Sequence, residues 1–330
     1  MKYKLSGIFL LLAFWSVAAR REQSKPVDSK QFTFLTSDHV KIPVNVSGKG
    51  YPCMFVPGGP GGGYRSFEQL GGNKLESFLT MIYMDQRGSG SAQNAKDYSM
   101  DRILRDMDEL RAKLHIEKMF LLSHSFGGVI LINYAKKYPQ HVKGIILVNS
   151  TLHFLNTESL LEQIKYGYGL LGKDTVISDH SLQSLSSVQV TLRQRLSKKH
   201  LAYKLLTDSV NTIKALDKID SIYPRINDFA YKILGPVIDK NASMLYPEYF
   251  KNYTTLTAAI RVPVLIITGT KDHAIGINHY HLFKFPHQTI VKINGGHLLY
   301  AEQNEAFVKA VNQFIDFTKQ KNTQKHPKKY

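Results

Sequence analysis

Cysteine is almost absent from this sequence, which excludes one common way of stabilising a protein domain. The only cysteine among 330 residues is Cys53, so no disulfide can form within the chain. Because Cys53 lies in the apolar run at 53–56, we expect a small core residue and not a reactive thiol. A chain of this length can bury a sizeable core without a cross-link, as one large domain or two smaller ones.

Long apolar runs are equally scarce, and the one that stands out lies at the N-terminus. Residues 5–19 are almost entirely apolar and follow the basic residues Lys2 and Lys4. The run is shorter than the roughly 20 residues of a transmembrane helix, and its basic start is typical of a signal peptide. We therefore predict a signal peptide at residues 1–19, an exported (periplasmic or secreted) protein, and no stable membrane insertion after cleavage. An uncleaved anchor is the alternative.

Acidic residues are too few to balance the basic ones. The chain has 26 Asp and Glu against 43 Lys and Arg, a formal net charge of +17 at pH 7. An excess of this size can favour nucleic acid or anionic surfaces. The basic residues are nevertheless spread along the chain without a recognisable nucleic-acid module, so we predict no nucleic-acid partner. The dense cluster at residues 319–330 is predicted to be a solvated basic tail.

The chain shows no internal repeat, but its pattern of apolar residues divides it into regions. From residue 30 to 150, short apolar runs alternate with helical patterns and glycine-rich turns. The predicted strands of this region are 53–56, 79–84, 119–122 and 145–148. Helical spacing at 100–114 and 129–138 separates them. Such alternation predicts an α/β fold with a mostly parallel central sheet flanked by helices.

The pattern changes at about residue 151. From 151 to 257, leucines and charged residues recur at helical spacing and strand-like runs are scarce. Strands are predicted again at 264–268 and 289–293, followed by an amphipathic helix at 305–317. We therefore predict one core, formed by residues 30–150 and 258–318, with a helical cap at 151–257 inserted after the sixth core strand.

A strand that runs into a tight turn and a helix is the strongest local signal, at residues 121–128 (LLSHSFGG). A turn sharp enough to lift the hydroxyl of Ser125 clear of the sheet needs small residues two positions before and after it. Gly127 satisfies this requirement, and Ser123 stands where glycine is usual. The pattern therefore indicates a nucleophile at Ser125. An ordinary helix N-cap is the alternative.

A glycine-rich loop follows the first predicted core strand, at residues 56–63 (VPGGPGGG). Glycines there allow backbone N–H groups to approach a substrate oxygen. Together with the N–H after a nucleophilic serine, such a loop forms an oxyanion hole, which predicts Gly59 and Phe126 as the two donors. A phosphate-binding loop is disfavoured because no Gly-Lys-Ser/Thr follows.

A base and an acid are predicted from the last two core strands. His297 follows the final strand in the sequence NGGH, and Asp272 follows the strand before it. A serine hydroxyl needs a neighbouring imidazole as base, and the acid orients that imidazole; the chain order serine, acid, histidine fits. No metal or organic cofactor is implied. The chain has 13 histidines, and those competing in the same region are His273, His279, His281 and His287.

These motifs together resemble the prolyl aminopeptidases (proline iminopeptidases) and their α/β-hydrolase relatives. The matching stretches are GGPG at 58–61, DQRGSGS at 85–91, SHSFGG at 123–128 and GGH at 295–297. The resemblance implies an α/β-hydrolase fold and a serine hydrolase that acts through an acyl-enzyme. It also implies a short-peptide substrate whose N-terminal proline is removed. The stretch at 85–91 is interpreted as a structural turn, without a catalytic step.

The sequence departs from that family's pattern at several positions. Pro57 replaces the usual histidine before the glycines, and Ser123 replaces a glycine. The only tryptophan is Trp15, whereas the family's cap commonly carries a tryptophan–glutamate region that binds the substrate amine. The acids of the predicted cap, such as Glu158, do not align to that role. A carboxylesterase or small-amide hydrolase with a small-molecule substrate, and a non-catalytic binding protein of the same fold, are therefore the alternatives.

Overall fold

The computed structural model describes residues 29–223, 227–239 and 241–325. The predicted signal peptide at 1–19 therefore lies outside the described residues, as does the end of the predicted basic tail. Within the part of the chain that is described, no helix combines the length and the apolar character needed to cross a bilayer. Export of the protein stays a prediction.

The centre of the fold is an eight-stranded, mostly parallel sheet in the order β1-β2-β4-β3-β5-β6-β7-β8. Its strands are β1 Lys30–Leu35, β2 Lys41–Gly48, β3 Tyr51–Val56, β4 Leu79–Met84, β5 Met119–Ser125, β6 Val142–Ser150, β7 Val264–Gly269 and β8 Gln288–Ile293. Strand β2 pairs antiparallel with both β1 and β4, and every later pairing is parallel. The carboxyl ends of β3 and β5–β8 therefore meet at one edge, where ligands of such folds bind.

Helices cover both faces of this sheet. They are α1 Arg65–Gln69, α2 Met100–Lys113, α3 Gly127–Lys137, α4 Thr157–Leu170, α5 Leu182–Lys198, α6 Val210–Ile222, α7 Asp228–Ile238, α8 Leu299–Glu302 and α9 Asn304–Lys325. Side chains of α2 and α3 belong to one apolar cluster, and those of α8 and α9 to another. Because both faces are buried, the central strands read as nearly continuous apolar runs. Cys53 is buried in the second cluster, as predicted.

Helices α4 to α7 lie between β6 and β7, in residues 151–263, which we call the helical insertion. Helices α4 and α5 pack on each other through a small core of their own. Its buried members are Leu160, Ile164, Leu185, Leu192, Leu196 and Leu205. The insertion follows the sixth strand, so the predicted fold class is confirmed: an α/β-hydrolase core with a helical cap.

The loop after β4 is held together by buried charge. The carboxylate of Asp85 accepts hydrogen bonds from the backbone N–H groups of Tyr64 and Ser91. Arg87 is fully buried; its Nε lies 2.7 Å from Asp106 Oδ2 on α2, and its Nη1 lies 2.8 Å from Asp38 Oδ2. These bonds tie the loop to the core, which agrees with the interpretation of residues 85–91 as a structural turn.

Replacing Arg87 with methionine is expected to lower the free energy of unfolding by about 3–5 kcal/mol, because it leaves the buried carboxylate of Asp106 short of a partner. Urea unfolding followed by circular dichroism measures the change. The control is Arg105→Gln, which removes a half-exposed pair with Asp101 and is expected to cost about 1 kcal/mol or less. Equal effects of the two variants would contradict a structural role for the Arg87 network.

Candidate active site

Ser125 sits at the end of β5, where the strand turns abruptly into α3. Its φ angle is +55°, in the left-handed region that residues other than glycine rarely adopt. The turn also brings α3 against the end of β3: a Cβ added to Gly127 would lie 2.3 Å from the carbonyl oxygen of Val56. The local sequence therefore meets the requirement for a sharp elbow, with the serine at its tip.

Ser123, which stands where the resembled family has glycine, fits this elbow without an unpaired hydroxyl. The residue is fully buried, and its Oγ lies 2.8 Å from Oγ of Ser150 on the neighbouring strand β6. The Ser150 hydroxyl in turn lies 3.0 Å from the carbonyl oxygen of Ser123. The departure from glycine is thus accommodated by a serine pair between two strands.

The structure brings Ser125, His297 and Asp272 together, although they are far apart in the chain. Nε2 of His297 lies 2.9 Å from Oγ of Ser125. Nδ1 of His297 lies 2.8 Å from Oδ2 of Asp272. When Nδ1–H donates to the carboxylate, Nε2 is left to accept the serine proton. This arrangement is able to generate a nucleophilic serine oxygen.

Asp272 remains a carboxylate in spite of its complete burial. Burial alone would raise its pKa, but the charge and hydrogen bond of His297 outweigh it, so the pKa lies below its usual value. Its second oxygen, Oδ1, accepts the backbone N–H groups of Ala274 at 3.0 Å and Ile275 at 3.4 Å. The acid is therefore ionised and held in place on both of its oxygens.

The loop that carries His297 is fixed by its backbone. The carbonyl oxygen of His297 accepts Nε2–H of His124 at 2.9 Å and Nδ2–H of Asn149 at 3.0 Å. Asn149 also holds the end of β7, the strand that leads to Asp272, because Oδ1 of Asn149 accepts the N–H of Gly269 at 2.7 Å. The N–H of His297 donates to the carbonyl oxygen of Leu206 in the helical insertion, at 2.6 Å. These contacts orient the imidazole before any substrate binds.

His124 supports this loop as a neutral ring. Burial, followed by the neighbouring His297, lowers the pKa of His124 to about 3. The two rings lie 4.5 Å apart between centroids, at an angle of 45°. Because His124 stays neutral at physiological pH, it adds no second positive charge beside the imidazolium that His297 would form. Its contacts are those of a packing residue that also fixes the loop of His297.

The glycine-rich loop passes directly against the elbow. A Cβ added to Gly58 would lie 2.8 Å from Cβ of Ser125, so a larger residue would collide with the candidate nucleophile. Gly59 has a φ of +118°, which side-chain-bearing residues rarely adopt. Phe126 is the N-cap of α3, and the N–H groups of a helix start have no intrahelical partner. Phe126 follows Ser125 directly in the chain, and Gly59 lines the same cavity as Ser125; their role as oxyanion donors stays a prediction.

A cavity of about 580 Å³ opens over these residues, between the carboxyl edge of the sheet and the helical insertion. Its apolar walls include Phe67, Phe154 and Leu216. Among the described residues that line it, none is aspartate or glutamate, and Arg193 is the sole lysine or arginine. The other polar side chains of the lining, apart from Ser125 and His297, are Ser66, His124, Thr151, His153, Asn156, Ser159, Gln189 and Tyr300.

The fold has counterparts among known proteins. A family model of the alpha/beta hydrolase fold matches residues 51–303, well over half of the chain. This chain belongs to the α/β-hydrolase family. Its candidate residues follow one another in the order serine, acid, histidine, which is the order of α/β-hydrolase triads.

This α/β hydrolase is similar to both peptidases and esterases. The proline iminopeptidase of Saccharolobus solfataricus is 25% identical over 289 residues, covering 82% of this chain and 86% of that protein. A proline iminopeptidase-related protein of Thermus thermophilus superposes with a TM-score of 0.68 at 19% identity, covering 87% and 97% of the two chains. An esterase of Thermogutta terrifontis gives a TM-score of 0.62 at 17% identity, covering 88% and 99%.

These comparisons confirm the resemblance to the proline iminopeptidases and support hydrolase activity. The two structural neighbours, at this level of identity, show the fold alone. The type of bond that this α/β hydrolase cleaves must therefore be inferred from the residues of its own site.

Two of the competing histidines of this α/β hydrolase, His273 and His279, have other partners. Nδ1 of His273 lies 2.7 Å from Oε1 of Glu162, and its ring stacks on Tyr166 with 3.5 Å between centroids. Nδ1–H of His279 donates to the carbonyl oxygen of Gly276 at 2.8 Å. Across the described ranges, His297 alone reaches the hydroxyl of Ser125. Those same ranges contain no cluster of three or more side chains suited to a metal ion.

Several residues of the site were missed by sequence reasoning. Asn149 and Ser150 follow the predicted strand at 145–148, and Leu206 and Arg193 lie in the helical insertion. The position of Asn149 at a strand end was a signal that could have been read, since polar residues there face the ligand edge. Leu206 and Arg193 gave no such signal, because their roles depend on how the insertion folds over the core.

Proposed function

We propose that this α/β hydrolase is a serine hydrolase that acts through an acyl-enzyme. The observation that carries the proposal is the continuous hydrogen-bond chain from Ser125 Oγ to His297 Nε2 at 2.9 Å and from His297 Nδ1 to Asp272 Oδ2 at 2.8 Å. The strained backbone of Ser125 supports it, and the predicted oxyanion donors Gly59 and Phe126 fit the same mechanism.

The reaction follows from the roles of these groups. Ser125 Oγ attacks the substrate carbonyl carbon while its proton passes to His297 Nε2, and Asp272 stabilises the imidazolium. The N–H groups of Gly59 and Phe126 donate to the oxyanion. The leaving alcohol or amine takes the proton from His297, and an ester remains on Ser125. Water then attacks this ester with His297 as base, which frees the acid product and restores the serine.

Two substrate classes fit this chemistry. The sequence motifs and the similarity to a proline iminopeptidase support removal of an N-terminal proline from short peptides. That reaction requires the site to hold a charged amine, and burying an ammonium without a carboxylate is costly. The described lining of the cavity offers no carboxylate. We therefore place esters and small amides without a free amine first, and N-terminal prolyl peptides second.

A matched substrate pair separates these classes. Prolyl 4-nitroanilide and cyclopentanecarbonyl 4-nitroanilide differ only in the ring amine, and 4-nitrophenyl butyrate tests ester cleavage. We expect kcat/KM to be at least about 10-fold higher for the cyclopentane compound, because the cavity has no partner for the ammonium. We also expect turnover of the ester. Faster cleavage of the prolyl compound would establish the aminopeptidase instead.

The third alternative, a binding protein without turnover, rested on Pro57 and Ser123. Ser123 is accommodated by Ser150. The carbonyl oxygen of Pro57 accepts Nε2–H of Gln86 at 3.0 Å, so this residue also has a place in the loop. Neither departure disturbs the contacts of Ser125, and no observation favours the non-catalytic alternative.

A further inference from the structure

The helical insertion places one full positive charge at the cavity of Ser125. Arg193 belongs to α5, and it lines the same cavity as Ser125 and His297. Arg193 is exposed, and it lines this cavity. A cation that faces a reaction cavity is a specificity determinant for charged substrates.

Arg193 has almost no partner inside the protein. Its Nη2 donates a long hydrogen bond to Oε1 of Gln163, at 3.4 Å. That oxygen also accepts Nε2–H of Gln189. Over the described ranges, no aspartate or glutamate pairs with Arg193. A guanidinium carries several N–H donors, so most of its hydrogen-bonding capacity is open to a ligand.

The surroundings of Arg193 favour an anion. Although Arg193 is exposed, nearby protein atoms partly desolvate its guanidinium and lower its pKa. Within the described residues, no acid close to Arg193 raises this pKa again. The cavity lining adds no negative side chain within the described residues. Asn156 and Ser159, at the N-terminal end of α4, line the same cavity, and a helix N-terminus carries partial positive charge.

We propose that Arg193 binds a carboxylate of the substrate, so that the preferred substrates are esters or small amides that bear a carboxylate. A carboxylate matches the planar fork of the guanidinium, with two parallel N–H···O bonds. The proposal rests on the proposed function for the reaction itself, and it names the substrate class that the same cavity selects.

A pair of esters with equal chain length tests it. Mono-4-nitrophenyl glutarate carries a terminal carboxylate, and 4-nitrophenyl pentanoate does not. In Arg193→Gln we expect kcat/KM for the glutarate ester to fall about 10- to 100-fold, mainly through KM, because a hydrogen bond to a charged group is lost. We expect the pentanoate ester to change by less than about 3-fold. Arg193→Lys should restore part of the loss.

The matched control is Arg195→Gln, on the same helix but outside the cavity lining, which should leave the ratio of the two esters unchanged. Binding supplies a readout that needs no turnover. We expect glutarate to bind the Ser125→Ala protein in calorimetry and to bind at least about 10-fold more weakly when Arg193→Gln is added.

The outcomes separate the two proposals. Equal losses for both esters, or no selective loss in either measurement, would overturn the role of Arg193 while leaving the hydrolase intact. Absence of turnover together with absence of fluorophosphonate labelling at Ser125 would overturn the proposed function. In that case the glutarate measurement would still decide whether Arg193 binds a carboxylate.

Discussion

Replacing Ser125 with alanine is expected to lower kcat by about 10⁴- to 10⁶-fold on any ester that the wild-type protein cleaves. The loss is this large because the variant keeps His297 and the amide donors but has no oxygen to form the acyl-enzyme. Fluorophosphonate labelling should disappear with it. Intact-protein mass spectrometry on wild type and variant measures the labelling, and a nitrophenyl ester assay measures the rate.

The control for this experiment is Ser159→Ala. Ser159 also lines the cavity but lies on α4, away from the hydrogen-bond chain of His297. We expect its labelling to remain complete and its kcat to stay within about 3-fold of wild type. If the Ser125→Ala protein were labelled as fully as wild type, the nucleophile would be a different residue.

Replacing Asp272 with asparagine is expected to lower kcat by about 10⁴-fold with little change in stability. The amide of asparagine can donate to Nδ1 of His297, which favours the tautomer with its proton on Nε2. That nitrogen then cannot accept the proton of Ser125. The asparagine oxygen can still accept the N–H of Ala274, which Oδ1 of Asp272 accepts at 3.0 Å, so the loop keeps its shape.

Asp208→Asn is the matched control for this second experiment. Asp208 is half exposed and pairs with Lys271, next to Asp272 in sequence, at 3.4 Å. The same chemical change there is expected to alter kcat by less than about 2-fold. A kcat for Asp272→Asn within about 10-fold of wild type would show that this carboxylate does not orient the base.

The candidate triad could be predicted from the sequence because each of its members follows a predicted strand. In a parallel sheet the carboxyl ends of neighbouring strands meet at one edge, so Ser125, Asp272 and His297 were expected to converge. The short apolar runs that end near 122 and 268 are buried on both faces and are therefore easily recognised. The strand that ends at 293 is a largely exposed edge strand. The fold class followed from the same runs, since strands of this kind alternate with helices.

Strands β1 and β2 were not predicted. Strand β2 is largely buried, but Pro43 and polar residues interrupt its apolar sequence. Strand β1 is a largely exposed antiparallel edge strand with few buried positions, and its sequence has no clear apolar run. Helix α3 was predicted to start at 129 but begins at Gly127, because the elbow is immediately followed by helical turns. Such boundaries depend on the close approach of α3 to β3, which is a contact between distant segments.

The contents of the cavity were beyond sequence reasoning. The segment 151–257 was recognised as helical, but helical spacing does not state which side chains face the core. Arg193 is one of several basic residues on α5, and only the packing of α5 over the sheet selects it for the cavity. The absence of carboxylates in the described lining is likewise a property of the assembled site.

The hydrogen bond from His297 N–H to the carbonyl oxygen of Leu206 couples the two parts of the molecule. Gly296 makes the approach possible, since a Cβ there would lie 2.5 Å from the same oxygen. If the segment around Leu206 moved outward to admit a bulky molecule, the backbone N–H of His297 would lose its hydrogen bond to Leu206. The placement of the base beside Ser125 therefore depends in part on where the helical insertion lies.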